Sequence, residues 1–111
     1  MLQARRINPV SECPLTAGLA VIGGKWKIII VYLLAEGPMH FAALRADITN
    51  MSQKVLSEQL GELIADGVVD RTPTGRAPAP VLYSLTEYGR SVLPLVEGIK
   101  AWGRNHQERF R

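Results

Sequence analysis

The sequence predicts a mainly α-helical fold with one small antiparallel β-hairpin, which places the chain in the α+β class. Apolar residues recur at helical spacing through residues 13–66, as is typical of amphipathic helices. Two runs rich in β-branched and aromatic residues then flank a loop of proline and glycine within residues 68–85, which favours a hairpin. Helical spacing returns over residues 87–109 and indicates a long final helix.

The first two helices are marked by their end signals. Pro14 suits the first turn of a helix, because its missing N–H has no partner to lose there. Gly23 and Gly24 end that segment, and Gly37 with Pro38 ends the next one. The second helix carries a full apolar stripe, which comprises Trp26, Ile29, Ile30, Leu33 and Leu34.

A short third helix over residues 41–48 and a turn at Asn50 precede the fourth helix. Ser52 is a favourable N-cap for this fourth helix, which we expect over residues 53–66 with Gly67 as its C-terminal stop. Its apolar face, which must be buried, carries Leu56, Leu60, Leu63 and Ile64. Its opposite, polar face carries Lys54, Ser57, Glu58 and Gly61.

The C-terminal part of the chain predicts a hairpin and one more helix. We expect strands over residues 68–72 and 81–85, joined by a loop rich in turn residues. Thr86 is a suitable cap for a helix over residues 87–109, which Pro94 either kinks or begins. The third and fourth helices followed by a hairpin make a winged helix-turn-helix, with the long last helix appended.

Length and composition limit what else the chain can be. Its 111 residues allow one domain, so we expect a basic arm over residues 1–12 and a single domain over residues 13–111. The single cysteine, Cys13, excludes an intrachain disulfide and a cysteine-based zinc cage. A net charge of +3 permits an anionic partner. No apolar run is long enough for a bilayer or a signal peptide, so we expect a cytoplasmic protein without a membrane partner.

Short motifs occur in a specific order over residues 12–104. They are Cys13-Pro14-Leu15, Ile22-Gly23-Gly24-Lys25-Trp26, Gly37-Pro38-Met39-His40-Phe41, Met51-Ser52-Gln53-Lys54-Val55-Leu56, Asp66-Gly67, Tyr83-Ser84-Leu85-Thr86 and Trp102-Gly103. In this order and spacing they resemble the HxlR-type family of bacterial winged-helix transcription regulators. The resemblance implies a homodimer that binds double-stranded DNA, more often a repressor than an activator.

Two positions depart from the pattern of that family. Members usually carry an arginine or lysine where this chain has Gly61, on the exposed face of the fourth helix. Before the second wing strand they often show proline-arginine-valine-glutamate, where this chain has Pro80-Val81-Leu82. The wing therefore carries less charge, and Arg71 and Arg76 remain as its cations.

The fourth helix is the candidate recognition helix, because a helix fits the major groove and its N-terminal side chains reach base edges. Gln53 is suited to adenine, Lys54 to guanine or phosphate, and Glu58 to cytosine. Phosphate contacts supply most of the affinity and are expected from basic residues elsewhere, above all from Arg76 on the wing. The complete predicted set of DNA-binding residues is Lys25, Arg45, Ser52, Gln53, Lys54, Ser57, Glu58, Arg71, Arg76 and Arg90.

A simpler interpretation is that the polar face of the fourth helix is only a solvated surface. Between Ser52 and Asp70 a single cation faces four acids, which does not favour binding to a polyanion. The rival function is therefore a winged-helix module that binds another protein and has no specific affinity for DNA.

The last helix predicts a second copy of the chain as partner. Its apolar stripe is wider than one small domain needs to bury, and the first helix is expected to assist it. The alternative is that Trp102 packs back onto its own domain. The predicted dimer interface comprises Leu15, Leu19, Val92, Leu95, Val96, Ile99 and Trp102.

Cys13 is a candidate redox-sensing residue. The resemblance implies this role, because some members sense quinones, aldehydes or oxidants through a cysteine near this position. A position just before a helix N-terminus also favours a lowered thiol pKa, whereas the alternative is that this small thiol is a buried spacer, as cysteines often are. The inducer would then be a small molecule or an electrophile.

Enzymatic motifs are missing from the sequence. It has no glycine-rich phosphate loop and no nucleophile with an adjacent base. His40 and His106 are too few for a metal site. We therefore predict no enzymatic activity, no cofactor and no metal.

Overall fold

The structure is a computed structural model that describes residues 13–48, 50–76 and 80–111. The predicted arm over residues 1–12 and the loop centre at 77–79 lie outside these ranges. Within them, the helices and strands in chain order are α1 (Pro14–Ile22), α2 (Lys27–Leu34), β1 (Met39–His40), α3 (Phe41–Asp47), α4 (Gln53–Ala65), β2 (Val69–Pro73), β3 (Val81–Leu85), α5 (Glu87–Arg90) and α6 (Leu93–Arg109).

The predicted α+β class is confirmed, with helices packed around one small antiparallel sheet. The strand order is β1-β3-β2, so β3 lies in the centre. The hairpin of β2 and β3 begins with Val69 opposite Leu85, and β1 pairs with the other edge of β3 through Met39 and Tyr83. The sequence analysis did not predict β1, because two residues are too short to show an alternating pattern.

The turn between α3 and α4 and both ends of α4 follow the predicted signals. Asn50 has a φ of 65°, a left-handed conformation that asparagine tolerates. Ser52 caps α4, since its Oγ accepts a 3.0 Å hydrogen bond from the backbone N–H three residues later. Gly67 has a φ of 80°, and the N–H of Val68 donates to the carbonyl of Leu63 at 2.9 Å, as in a Schellman C-cap.

The core lies where α2, α3 and α4 meet the sheet. Leu56, Leu60 and Leu63 form the inner face of α4 and are at most 1% exposed. The remaining buried apolar residues are Ile30, Val31, Leu34, Leu44, Ile48, Met51, Val68, Val69, Leu85 and Val96. Because the leucines of α4 point into this core, its polar side chains point to solvent.

The C-terminal helix is divided in two. We expected one helix over residues 87–109, but α5 ends at Arg90 and α6 begins only at Leu93, after a turn at Ser91 and Val92. Pro94 lies in the first turn of α6, where its missing N–H costs no hydrogen bond. Of the two predicted roles for this proline, the structure therefore supports the start of a helix.

No single helix among the described residues is both long and apolar enough to cross a bilayer. The pair α1 and α2 meets the length and composition criteria only when taken together, and it is bent by 71°.

The start of α5 packs against the residues that follow α4 through Thr86 and Gly89. The Oγ1 of Thr86 donates to the carbonyl of Gly67 at 2.6 Å and accepts from the N–H of Gly89 at 2.8 Å. Gly89 is buried, and a Cβ atom at this position would overlap the carbonyl oxygen of Val68. The close approach of α5 to the backbone of Val68 therefore requires glycine.

We expect Gly89→Ala to lower the free energy of unfolding by about 1–3 kcal/mol, because the added methyl group forces the backbone apart. Gly61→Ala is the matched control, since no atom lies within 4 Å of a Cβ there. Loss of this helical glycine should raise the free energy of unfolding by about 0.5–1 kcal/mol. Urea denaturation measures both variants, and wild-type stability for Gly89→Ala would contradict the packing argument.

Candidate nucleic-acid interface

The outer face of α4 is polar and open to solvent. Its exposed residues are Gln53, Lys54, Ser57, Glu58 and Gly61. Lys54 is 84% exposed, and its Nζ lies 4.0 Å from a carboxylate oxygen of Glu58. An exposed pair at this separation is weak, so it does not hold Lys54 away from a ligand. The hydroxyl of Ser52 is already used as the cap that fixes the start of this face.

The turn before α4 brings a cation next to its first residue. Arg45 of α3 and Gln53 of α4 line the same open cavity, of about 650 Å³, together with Phe41 and Met51. Both polar side chains belong to exposed residues. This arrangement places a guanidinium group, suited to a phosphate, beside an amide suited to a base edge.

The hairpin of β2 and β3 forms a wing that packs against α4. The backbone N–H and the Oγ1 of Thr74 both donate to the carbonyl of Pro80, at 3.0 and 2.7 Å, and so close the hairpin. Arg71 is exposed on β2, and Arg76 is exposed beyond the closure. The proline-rich remainder of the tip, at 77–79, is outside the described residues.

Lys25 and Arg90 belong to other elements. Lys25 precedes α2, and its Nζ lies 4.6 Å from the centre of the Trp26 ring, a cation–π contact. Arg90 is the last residue of α5. All ten residues predicted to bind DNA are exposed. Eight of them lie on α3, the turn before α4, α4 itself and the wing, whereas Lys25 and Arg90 lie on other parts of the chain.

The sequence analysis missed Lys27. It is the first residue of α2, is only 4% exposed, and forms a salt bridge with Glu62 of α4. Periodicity could not reveal this pair, because its members lie on different helices far apart in the chain. Lys27 thus connects the candidate recognition helix to the helix behind it.

A second exposed surface, on α1 and α6, is apolar. This apolar face comprises Leu15 (73% exposed), Leu19 (57%), Leu95 (47%), Ile99 (49%) and Trp102 (68%). Its residues other than Trp102 line a cleft of about 310 Å³ between α1 and α6. Trp102 stacks on His106, with ring centres 5.2 Å apart, and does not join its own core.

Two residues of the predicted dimer interface lie elsewhere. Val96 is 4% exposed and is part of the core of its own chain. Val92 is half-buried against that core. The two valines lie on the side of the C-terminal segment that packs against the core. The predicted apolar stripe is therefore divided between the core and the exposed apolar face.

Cys13 is exposed and caps α1. Its Sγ accepts a 3.4 Å hydrogen bond from the N–H of Thr16 and lies 3.1 Å from the Thr16 hydroxyl. The hydroxyl and then the N–H of Thr16 lower the pKa of the thiol, against a smaller opposing effect of desolvation. The thiol is therefore no buried spacer, and its thiolate forms more readily than that of an ordinary cysteine.

A turn-linked helix pair with an adjoining wing defines a winged helix-turn-helix protein. A family model described as HxlR-like helix-turn-helix matches residues 21–110. The HTH-type transcriptional regulator YybR of Bacillus subtilis is 40% identical over 109 residues, which are 97% of this chain and 87% of that protein. YtcD of the same species is 44% identical over 93 residues, 84% of this chain and 74% of that protein.

Solved structures agree with these relatives. The redox regulator HypR in its oxidized form matches with a TM-score of 0.80 and 43% identity, covering 84% of this chain and 96% of that one. The structure of YtcD matches with a TM-score of 0.82 and 41% identity, covering 87% and 99%. The chain belongs to the HxlR-like helix-turn-helix family, and it is a DNA-binding transcriptional regulator rather than an enzyme.

We expect the alkylation rate of Cys13 by iodoacetamide to reach its midpoint at a lower pH than that of an ordinary cysteine. The reason is that the reacting thiolate is stabilised by Thr16. Thr16→Val should move the midpoint to higher pH, whereas Thr16→Ser, which keeps the hydroxyl, should not. Equal midpoints for wild type and Thr16→Val would contradict the assigned cause.

Proposed function

We propose that the protein is a cytoplasmic homodimeric repressor that reads a pseudo-palindromic operator with α4. This proposal rests on one observation, which is that α4 has a buried leucine face and an exposed polar face. Gln53, Lys54, Ser57 and Glu58 provide hydrogen-bond donors and acceptors on the exposed side. These groups suit base edges in the major groove.

Affinity comes mainly from the cations around α4. Arg45 lies beside the start of the helix, and Arg71 and Arg76 lie on the wing. Lys25 and Arg90 extend the set of phosphate contacts, and Arg76 is the residue proposed to meet the backbone or the minor groove. This division of roles accounts for a recognition helix that itself carries more acid than base.

The apolar face is the proposed dimer interface. Its leucines, Ile99 and Trp102 are too exposed to be left in water as one patch. A second copy related by two-fold symmetry would place its own apolar face against that of the first chain, so that both faces are removed from water. Such a dimer presents two copies of α4 to half-sites about 34–36 Å apart, one turn of B-DNA.

Repression follows if the dimer occupies DNA that RNA polymerase needs. An inducer would act by changing the spacing of the two α4 helices, because the half-sites tolerate little change in register. The residues of the apolar face belong to α1 and α6. A shift of either helix at the proposed dimer interface would therefore alter the spacing of the two α4 helices.

The test is selection of bound duplexes from a random DNA library by the purified full chain. We expect recovery of an inverted repeat, which would support the operator and the two-fold dimer together. An unenriched pool from folded protein would instead favour the rival function, a winged-helix module for a protein partner. Weak binding that is strongly salt-dependent and indifferent to sequence would favour that rival too.

On the recovered sequence, two variants separate base contacts from phosphate contacts. Lys54→Ala should relax the preference at one base position by about 1–3 kcal/mol, because a base contact is lost. Arg76→Ala should weaken binding to all sequences and reduce the salt slope by about 1. Quantitative gel-shift titrations over a range of salt measure both, and unchanged affinity and slope for Arg76→Ala would reject the wing contact.

A second function, response to oxidants or electrophiles, is favoured by Cys13. Its thiol is exposed, its pKa is lowered, and it caps the helix that carries Leu15 and Leu19 of the apolar face. The similar regulator HypR is a redox regulator. Modification of the sulfur would remove the cap of α1 and add bulk at the proposed dimer interface.

Intact-mass analysis after exposure to a quinone tests this response. We expect the wild type to gain the mass of one quinone per chain, because the thiolate adds to the ring without a leaving group. Cys13→Ser should gain nothing, and its DNA binding should persist under the same exposure. If Cys13→Ser formed the adduct in the same yield as the wild type, the assignment of Cys13 as the reactive residue would be wrong.

A further inference from the structure

The salt bridge between Lys27 and Glu62 joins the proposed recognition helix to α2. The Lys27 side chain is 4% exposed and that of Glu62 is 39% exposed. It differs from three other ion pairs of the described residues, each of which joins residues three or four positions apart in the chain: Lys54–Glu58, Glu97–Lys100 and Glu108–Arg111. An ion pair within one helix cannot fix how that helix is oriented in the fold, whereas a pair between α2 and α4 can.

Stability alone does not account for a lysine at this position. Burial of an ammonium group carries a desolvation penalty, and apolar replacements of a buried ion pair are often as stable or more so. Lys27 also begins α2, where the helix dipole disfavours a positive charge. A methionine could fill the same space without either cost.

The buried leucines select which side of α4 faces the core, and a directional contact on its flank restricts the smaller rotations that remain. Leu56, Leu60 and Leu63 bury one stripe of the helix, and apolar contact has no directional preference. At 100° per residue, Glu62 lies on the flank of α4, between this stripe and the face that carries Glu58. A charged hydrogen bond is directional, so an anchor on the flank resists rotation about the helix axis.

We infer that Lys27 and Glu62 are positioning residues that set the rotation of α4 and thereby the discrimination between DNA sequences, without touching DNA. The inference rests on the proposed role of α4 as recognition helix. Rotation of α4 displaces Gln53 and Lys54 at its start relative to the base edges. Hydrogen bonds to bases lose strength steeply with misalignment, whereas contacts of the wing with phosphate do not depend on this rotation.

The test is the double variant Lys27→Met/Glu62→Leu, which removes both charges and keeps the net charge and the approximate volume. The control Glu108→Gln/Arg111→Gln removes an exposed ion pair at the C-terminal end of α6, also at constant net charge. We expect the first variant to be as thermally stable as wild type and to lose about tenfold in the ratio of specific to random-sequence affinity, comparable to one misplaced base contact. Its affinity for random DNA and its salt slope should not change. The control should retain the wild-type ratio.

A second measurement, made without DNA, separates this inference from the proposed function. Residual dipolar couplings of the backbone amides report the angle and rotation of α4 relative to α2. We expect a changed orientation in the double variant and a smaller change in Glu62→Gln, which keeps an acceptor for Lys27. An unchanged orientation, or a changed orientation with an unchanged affinity ratio, would overturn the inference. If the wild type itself selects no sequence, the proposed function fails, and the couplings alone decide whether the pair positions α4.

Discussion

Leu56, Leu60 and Leu63 lie on one side of α4 and are almost completely excluded from water by α2, α3 and the sheet. Their burial decides which side of α4 remains exposed, and so it determines the whole candidate interface. The caps at Ser52 and Gly67 define where this helix begins and ends. The packing of β2 against α4 then places the wing at a fixed position beside it.

Electrostatics divides the interface into two functional parts. The sequence around α4 is acidic overall, so the helix cannot supply the attraction to a polyanion by itself. Arg45, Arg71 and Arg76 lie on the elements that flank it. Under the proposed function these cations supply affinity, while α4 supplies discrimination. Gly61, on the same exposed face, has no side chain to offer to DNA, which strengthens this dependence on the flanking elements.

The proposed control of DNA binding depends on α1 and the apolar face. Cys13 is both a thiol with a lowered pKa and the N-cap of α1. Chemical modification at Sγ therefore has an immediate structural consequence, because it disrupts the acceptor for the N–H of Thr16 in the first turn of that helix. Since α1 contributes Leu15 and Leu19 to the apolar face, a local event at one sulfur can reach the proposed dimer interface.

Features that depend on neighbouring residues were predictable from the sequence. The caps at Ser52 and Thr86, the left-handed turn at Gly67 and the polar face of α4 are all governed by residues within one or two helical turns, and the structure has them as expected. The exposed candidates, from Lys25 to Arg90, were identifiable for the same reason, although their spatial grouping was not.

Features that depend on distant contacts were decided by the tertiary structure. The pairing of β1 with β3, the burial of Val96 and the salt bridge of Lys27 with Glu62 each join residues far apart in the chain. Periodicity shows that a residue is on an apolar stripe, but it cannot show what covers that stripe. The sequence by itself therefore determined the ends and the outer face of α4, whereas three-dimensional packing decided where the last helix divides, which apolar residues enter the core and how α4 is held.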